Sequence, residues 1–178
     1  YAGSDDNRIY QLNASNVSHQ IANFTGIRSA RSNGAVRGAF LYIGGGAEVY
    51  RLNATNVSHQ LDNFSTSADI EGGVSVNEQY VYTTNRNGRI YQLNVSNISQ
   101  LIALNEGLGA EVSYATPVIY EDSVYVGSDS NNLYQFNASN VSQLFNRFDT
   151  SQDITASVAA AHGYIYMGSH DNILYQLN

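Results

Sequence analysis

Ten asparagines of this 178-residue chain stand two positions before a serine or threonine, the spacing of an N-glycosylation sequon. In a secreted protein the side-chain amide of such an asparagine accepts a sugar, and the sequon marks a surface turn. The candidate acceptors are Asn13, Asn16, Asn23, Asn53, Asn56, Asn63, Asn94, Asn97, Asn137 and Asn140. We therefore expect N-linked glycans on some of these side chains.

Eight of the ten sequons form tandem pairs, in which the second asparagine follows the first by three residues. Turn chemistry alone is an alternative explanation. The first asparagine would form an Asx-turn, and the second would adopt a left-handed backbone conformation. That alternative does not account for serine or threonine in the hydroxyl position of all eight sites. Both explanations stay open, and the sequence favours glycosylation.

Other reactive residue types form no recognisable set. The chain has no cysteine, which excludes disulfides, thiolate metal sites and a cysteine nucleophile. Its four histidines are scattered over turns, without the spacing of a metal site. Gly44-Gly45-Gly46 is followed by neither a lysine nor a helix, so it is not a phosphate-binding loop. We expect no catalytic residue, no metal and no cofactor.

The charge balance narrows the range of partners. Fifteen acidic residues oppose eight basic ones, all arginine, and the formal net charge is -7. An acidic surface without basic clusters argues against binding to nucleic acid. No apolar run approaches the roughly 20 residues that span a bilayer, so we expect no membrane insertion by this segment.

The asparagine pairs recur because the whole chain is repetitive. Copies of a Tyr-x-Leu/Phe-Asn motif begin at Tyr10, Tyr50, Tyr91, Tyr134 and Tyr175. A period of about 41 residues is the size of one β-propeller blade. We predict one array over residues 1–178, with approximate repeats 1–24, 25–64, 65–105, 106–148 and 149–178.

Each repeat has four short segments in which apolar and polar residues alternate, which is typical of β-strands. One inter-strand turn carries Asn7, Gly88, Asn131 or Asn172, the residue types that tolerate positive φ. The sequence predicts an all-β fold: a β-propeller-type array of four-stranded antiparallel blades, about four and a half of them.

Residues Val124 to Asn137 resemble the PQQ-type (quinoprotein-like) propeller repeat. That family has a Val-Tyr-Val-Gly-Ser strand, a polar turn and a Leu-Tyr-Ala-Leu strand, and the resemblance covers essentially the whole chain. It implies a propeller fold and says little about activity. The family often has a tryptophan that locks neighbouring blades, and this chain has none. The residues at about that place are Phe24, Phe64, Leu104 and Phe148. We expect the repeated tyrosines to pack between blades.

With strands named A to D from the centre outwards, the chain is predicted to contain BCD, three complete ABCD sets, and ABC. This strand order does not fill a four-bladed ring evenly. It predicts part of a larger ring or an open array, with self-association through the terminal blades.

Three functional hypotheses follow. The first is a non-enzymatic extracellular or cell-surface glycoprotein that acts as a scaffold or self-assembling, possibly fibre-forming, unit, because every repeat keeps the same motifs. The alternative is a propeller module that binds a ligand or protein. The third is a fragment of a quinoprotein dehydrogenase, against which the lack of a recognisable quinone site argues.

Overall fold

A computed structural model describes residues 1–109, 112 and 114–178. In this part of the chain all regular structure is β, with eighteen strands and no helix. The strands are β1 (Ala2–Ser4), β2 (Arg8–Asn13), β3 (Asn16–Thr25), β4 (Ala35–Arg37), β5 (Phe40–Gly45), β6 (Glu48–Asn53), β7 (Asn56–Ser65), β8 (Val74–Val76), β9 (Tyr80–Asn85), β10 (Arg89–Asn94), β11 (Asn97–Asn105), β12 (Val118–Tyr120), β13 (Ser123–Ser128), β14 (Asn132–Asn137), β15 (Asn140–Asp149), β16 (Ala159–Ala161), β17 (Tyr164–Gly168) and β18 (Leu174–Leu177).

The strands form five antiparallel sheets in chain order, and each sheet is one blade. Blade 1 contains β1 to β3, blades 2, 3 and 4 contain four strands each, and blade 5 contains β16 to β18. Strand A is therefore the short first strand of blades 2 to 5, and strand D is the long last strand of blades 1 to 4. The predicted all-β array of four-stranded blades is confirmed.

The turn between strands B and C has the predicted left-handed residue. Asn7, Gly88, Asn131 and Asn172 have φ values between 64° and 68°. In blade 2 the turn is one residue shorter, because Gly45 pairs with Glu48, and Gly46 supplies the positive φ of 54°. A residue without a Cβ adopts this conformation at least steric cost.

The apolar core lies between the blades rather than at one centre. Four clusters of buried side chains each join two successive sheets. Leu41 and Leu52 of blade 2, for example, pack with Ile9 and Phe24 of blade 1. Because each blade buries its faces against its neighbours, the stability of a blade depends on the blades beside it.

An aromatic pair locks neighbouring blades at the outer strand. Phe24, Phe64 and Phe148 of strand D each pack edge-on against a strand C tyrosine of the next blade, with ring centroids 5.3 to 5.8 Å apart. The prediction for Leu104 is wrong. Leu104 pairs with Tyr91 of its own blade, and Asn105 holds the position that corresponds to the phenylalanines. The Asn105 amide donates a hydrogen bond to the Ser142 carbonyl of blade 4.

Candidate functional site

The tandem sequons lie at the hairpin that joins strand C to strand D. In blades 1 to 4 the two asparagines of a pair face each other across a two-residue turn, as Asn13 and Asn16 do in blade 1. The second asparagine therefore begins strand D. The predicted left-handed conformation at this residue is wrong, since none of Asn16, Asn56, Asn97 and Asn140 has positive φ. A two-residue hairpin instead requires both flanking residues to be extended partners.

Side-chain hydrogen bonds shape the turn in the same way in every copy. The Oδ1 atom of the first asparagine accepts the backbone N–H two residues on, at 2.8 Å in all four blades. Oδ1 of the second asparagine accepts the corresponding N–H at 3.1 to 3.2 Å. The Asx-turn chemistry expected from the sequence is thus present, and both asparagines use it.

Strand D is irregular beyond the turn. In blade 1, Leu12 pairs with Gln20 while Gln11 pairs with Ala22, so Ile21 is an extra residue in the strand. The equivalent residues Leu61, Ile102 and Phe145 are exposed apolar side chains like Ile21. Bulges of this kind hinder the pairing of an outer strand with another sheet.

The same turn is where the preceding blade docks. Tyr1, Tyr42 and Tyr82 occupy one repeat position, and each hydroxyl donates to a turn carbonyl of the next blade. Tyr42 reaches the Val95 carbonyl at 2.9 Å, and Tyr82 bonds the Ala138 carbonyl. Burial raises the pKa of Tyr82 to about 12, so its hydroxyl stays protonated as a donor. The expected inter-blade role of these tyrosines therefore includes hydrogen bonding.

A glutamine of strand C completes the contact in two of the blades. The Gln92 amide donates to the Ala138 carbonyl at 3.1 Å and accepts the Val141 N–H at 3.0 Å. Gln11 makes the equivalent bonds to the Ala54 carbonyl and the Val57 N–H, both at 3.2 Å. One neutral side chain thereby satisfies a donor and an acceptor of the neighbouring turn. We use the term clamp for the hydrogen bonds that this strand C side chain makes with the C–D turn of the next blade.

Blade 2 builds the clamp from two charged residues. Nη1 of Arg51 donates to the Val95 carbonyl at 3.3 Å and also bonds the Ser96 carbonyl. Asp62, the strand D partner of Arg51, accepts the Ile98 N–H at 3.3 Å. Nε of Arg51 lies 2.9 Å from Asp62 Oδ1, and the two side chains are 14% and 16% exposed. Neither atom has a well-aligned hydrogen bond, so this contact is an ion pair.

Sequence reasoning missed the clamp, although its signal is present. The residue after the strand C tyrosine is Gln11, Arg51, Gln92 or Gln135, always long and hydrogen-bonding. Its strand D partner is Asp62 opposite arginine, and Ala22 or Ala103 opposite the two clamp glutamines. An acidic partner occurs where the clamp carries a positive charge.

All eight tandem-sequon asparagines lie at one end of the blades. The C–D turn is bonded to the A–B turn of its own sheet, as in the 2.8 Å bond from the Ala54 N–H to the Ala39 carbonyl. The other two predicted acceptors, Asn23 and Asn63, lie further along strand D, opposite Tyr10 and Tyr50. The structure therefore separates the ten candidates into a group of eight and a group of two.

The described part of the chain contains no group of three or more histidine, aspartate or glutamate side chains placed to hold a metal ion. It also contains no helix long and apolar enough to cross a membrane.

Comparison with known proteins identifies the class of fold. The family model described as outer membrane protein assembly factor BamB, of the PQQ-like repeat type, matches residues 104–178. The resemblance to the PQQ-like propeller repeat is thereby confirmed, and the family model covers less than half of the chain. No curated protein sequence matches the chain.

Solved structures show the same fold at low sequence identity. The designed protein Ika8 matches 98% of this chain with a TM-score of 0.83 and 12% identity, and BamB from Moraxella catarrhalis matches 98% with a TM-score of 0.82 and 11% identity. This chain spans 53% of the length of each of these two proteins. The designed protein Ika4 matches 88% of this chain, over 96% of its own length, with a TM-score of 0.76 and 12% identity.

Proposed function

We propose that this chain is a non-enzymatic extracellular or cell-surface scaffold that carries N-linked glycans on its C–D turns. The observation that supports this function most is the uniformity of the turn. Each of blades 1 to 4 presents two sequons on the same hairpin, at the same end of the sheet. None of these four blades replaces the turn with a different set of polar groups, as specialisation into an active site would require.

One side of the turn region contacts the preceding blade, and the other side is exposed to solvent, where a sugar could be attached. In blades 2 to 4 the residue after the second asparagine packs against the preceding blade, and Val57, Ile98 and Val141 are fully buried there. The asparagine and serine side chains of the turn remain at the surface, where Ser58, Ser99 and Ser142 are exposed. A sugar attached to the outer face therefore leaves the inter-blade contact intact.

Intact-mass measurement tests the glycoprotein proposal. Protein purified from its native source is measured before and after enzymatic removal of N-linked sugars. We expect a mass above that of the polypeptide, which falls on treatment. The polypeptide mass alone, unchanged by treatment, would contradict the proposal.

We also propose that units associate end to end through the contact that joins blades within the chain. Val17 of blade 1 corresponds to Val57, Ile98 and Val141 but is 71% exposed, whereas those three are 0% exposed. Its turn therefore offers an apolar side chain and free backbone groups of the kind that a clamp binds. A fibre results where such contacts repeat without closing.

Sedimentation over a range of protein concentrations tests this association. We expect Val17→Asp to abolish concentration-dependent assembly, because a carboxylate cannot be buried in the apolar space that the equivalent Val57, Ile98 and Val141 side chains occupy between blades. Ile21→Asp is the matched control, since Ile21 is 53% exposed on the same strand but outside the turn. Equal assembly by both variants would contradict end-to-end docking through the turn.

A second candidate function, binding of a protein partner, is favoured by the exposed apolar side chains of strand D. Ile21, Leu61, Ile102 and Phe145 recur once per blade on the outer strands. Affinity capture followed by cross-linking discriminates the two functions. A scaffold captures only copies of itself, and a binding module captures a different protein that is cross-linked to these strands.

A further inference from the structure

The two asparagines of a tandem pair compete for the same space. They are directly opposite each other across the hairpin. Cβ atoms of such cross-strand partners are about 5 Å apart and lie on the same face of the sheet. A sugar on one amide occupies the space into which a sugar on the other would extend. The geometry therefore favours one sugar per hairpin.

The amide nitrogens of the pair differ in their bonding. Nδ2 of Asn94 donates to Gln100 Oε1 at 3.1 Å, and Nδ2 of Asn137 donates to Gln143 Oε1 at 2.8 Å. Within the described residues, no hydrogen-bond partner lies on Nδ2 of Asn97 or Asn140. In blades 3 and 4 the reacting nitrogen is thus engaged in the first asparagine and available in the second, whereas in blades 1 and 2 the described residues place no bond on Nδ2 of Asn13 or Asn53.

The sequon hydroxyls also differ. In all four second sequons the hydroxyl donates to Oδ1 of its own asparagine, at 2.6 to 2.7 Å. In the first sequons this bond forms only at Asn53 and Asn137. Since the sequon requires this hydroxyl, the second site is the more regularly built of the two.

Exposure points to the same residue. In blades 1 to 3, Asn16, Asn56 and Asn97 are exposed, whereas their partners Asn13, Asn53 and Asn94 are half-buried. In blade 4 both asparagines are half-buried, and the distinction there rests on the hydrogen bonds of the two amide nitrogens. Attachment at the second asparagine also preserves the turn, because Oδ1 makes the turn bonds and Nδ2 takes the sugar.

The two sequons on the body of strand D are less suited to a sugar. Asn23 and Asn63 are both half-buried. Nδ2 of Asn63 donates to the Glu48 carboxylate, which also accepts a bond from the hydroxyl of its sequon residue Ser65. Both functional groups of that sequon are therefore held by one acidic side chain.

We infer that the sugars of this chain lie on Asn16, Asn56, Asn97 and Asn140, one per blade, and that the other six sequons are unmodified. The inference rests on the proposed glycoprotein function. In the reaction, Nδ2 forms a bond to the anomeric carbon of a phosphate-activated sugar. The carbon–oxygen bond to the phosphate breaks, the phosphate leaves with the electron pair, and the amide loses one proton to a base.

Site-resolved mass spectrometry tests the assignment on protein from its native source. Enzymatic removal of the sugars in ¹⁸O-labelled water converts each modified asparagine to a labelled aspartate, which fragment ions locate within a peptide. We expect the label at Asn16, Asn56, Asn97 and Asn140, and unlabelled asparagine at the other six positions. Label at the first asparagine of the pairs, or at Asn23 and Asn63, would overturn the assignment while leaving the glycoprotein proposal intact. A chain without label anywhere would overturn both.

A matched pair of variants in blade 3, expressed in the native host, sharpens the test. Ser99→Ala removes the Asn97 sequon, and Ser96→Ala removes the Asn94 sequon; both serines are exposed. We expect Ser99→Ala to lose the mass of one glycan and Ser96→Ala to keep the full mass. The reverse pattern would overturn the assignment, and equal thermal stability of the two variants excludes misfolding as the cause.

Discussion

The contact between blades 2 and 3 and the contact between blades 3 and 4 perform the same task with different chemistry. In the latter, the neutral amide of Gln92 supplies a donor to Ala138 and an acceptor to Val141. In the former, Arg51 supplies the donor and Asp62 the acceptor. The comparison shows that the repeat conserves the bonds received by the next turn rather than the residue that makes them. A buried N–H and C=O need partners, and either solution provides them.

The neutral contact and the charged contact differ in their response to the loss of one side chain. Loss of the glutamine side chain leaves only neutral groups without a hydrogen-bond partner, whereas loss of one member of the ion pair leaves an uncompensated charge. Removing one partner of a buried pair is strongly destabilising, because the remaining charge is not compensated. The charged contact is therefore expected to be the more sensitive of the two to single substitutions.

The largest effect is expected for Asp62→Ala. This change removes the acceptor of the Ile98 N–H and the counter-charge of Arg51, whose side chain is 14% exposed. We expect the free energy of unfolding to fall by about 3 kcal/mol in urea denaturation. Asp149→Ala is the control, since it breaks the Arg147–Asp149 pair, in which both side chains are more than half exposed. A loss below about 0.5 kcal/mol is expected there.

A smaller effect is expected for Gln92→Ala in the neutral contact. The Val141 N–H loses its acceptor, but the Ala138 carbonyl keeps the Tyr82 hydroxyl as a donor. We expect a loss of about 2 kcal/mol in the same measurement. Gln135→Ala serves as the control, because Gln135 bonds Ser123 and Tyr125 within its own blade. If both substitutions have the same small effect, the clamp bonds do not hold the blades together.

The tyrosines of the two contacts, Tyr82 and Tyr42, should contribute differently to the pH dependence of stability at alkaline pH. Burial raises the pKa of Tyr82 to about 12, above the value of about 10 of an unfolded chain. The stability linked to this group is complete below about pH 10 and is lost as the pH rises towards 12. Burial also raises the pKa of Tyr42, but the nearby Arg51 charge opposes that effect.

Urea midpoints measured from pH 8 to pH 12 test this difference. We expect the stability of Tyr82→Phe to change less above pH 10 than that of the wild type, because the variant has no phenol to titrate at this site. Tyr42→Phe should reduce the pH dependence of stability less than Tyr82→Phe does. Identical profiles for the two variants would contradict the proposed effect of Arg51 on the blade 2 contact.

The array itself could be predicted from the sequence because its signals are local and repeated. Period-2 alternation defined the strands, and asparagine or glycine at the B–C turn predicted the positive φ found at Asn7, Gly88, Asn131 and Asn172. The prediction that tyrosines pack between blades is confirmed for residues such as Tyr50, Tyr91 and Tyr175, because aromatic residues at a fixed repeat position fill the space between sheets.

The strand D face of blade 3 and the clamp could not be predicted in this way, because they depend on strand register and on contacts between residues far apart in the sequence. Leu104 follows Asn97 by seven residues, whereas Phe24, Phe64 and Phe148 each follow the second asparagine of their turn by eight. Because successive residues of a strand face opposite sides of the sheet, this difference of one residue places Asn105 rather than Leu104 on the face of the phenylalanines. The clamp bonds join residues at least 36 positions apart, so no local pattern specifies them.

The double substitution Arg51→Gln with Asp62→Ala tests the central claim most directly. It recreates in blade 2 the combination found in blade 3, where Gln92 faces Ala103. If the contact requires only one donor and one acceptor, the double variant should unfold within about 1 kcal/mol of the wild type. It should then be more stable than Asp62→Ala alone, with a coupling energy of at least about 2 kcal/mol in a double-mutant cycle, because the Arg51→Gln single variant also leaves a charge without its partner. A double variant whose loss equals the sum of the two single losses would contradict the account.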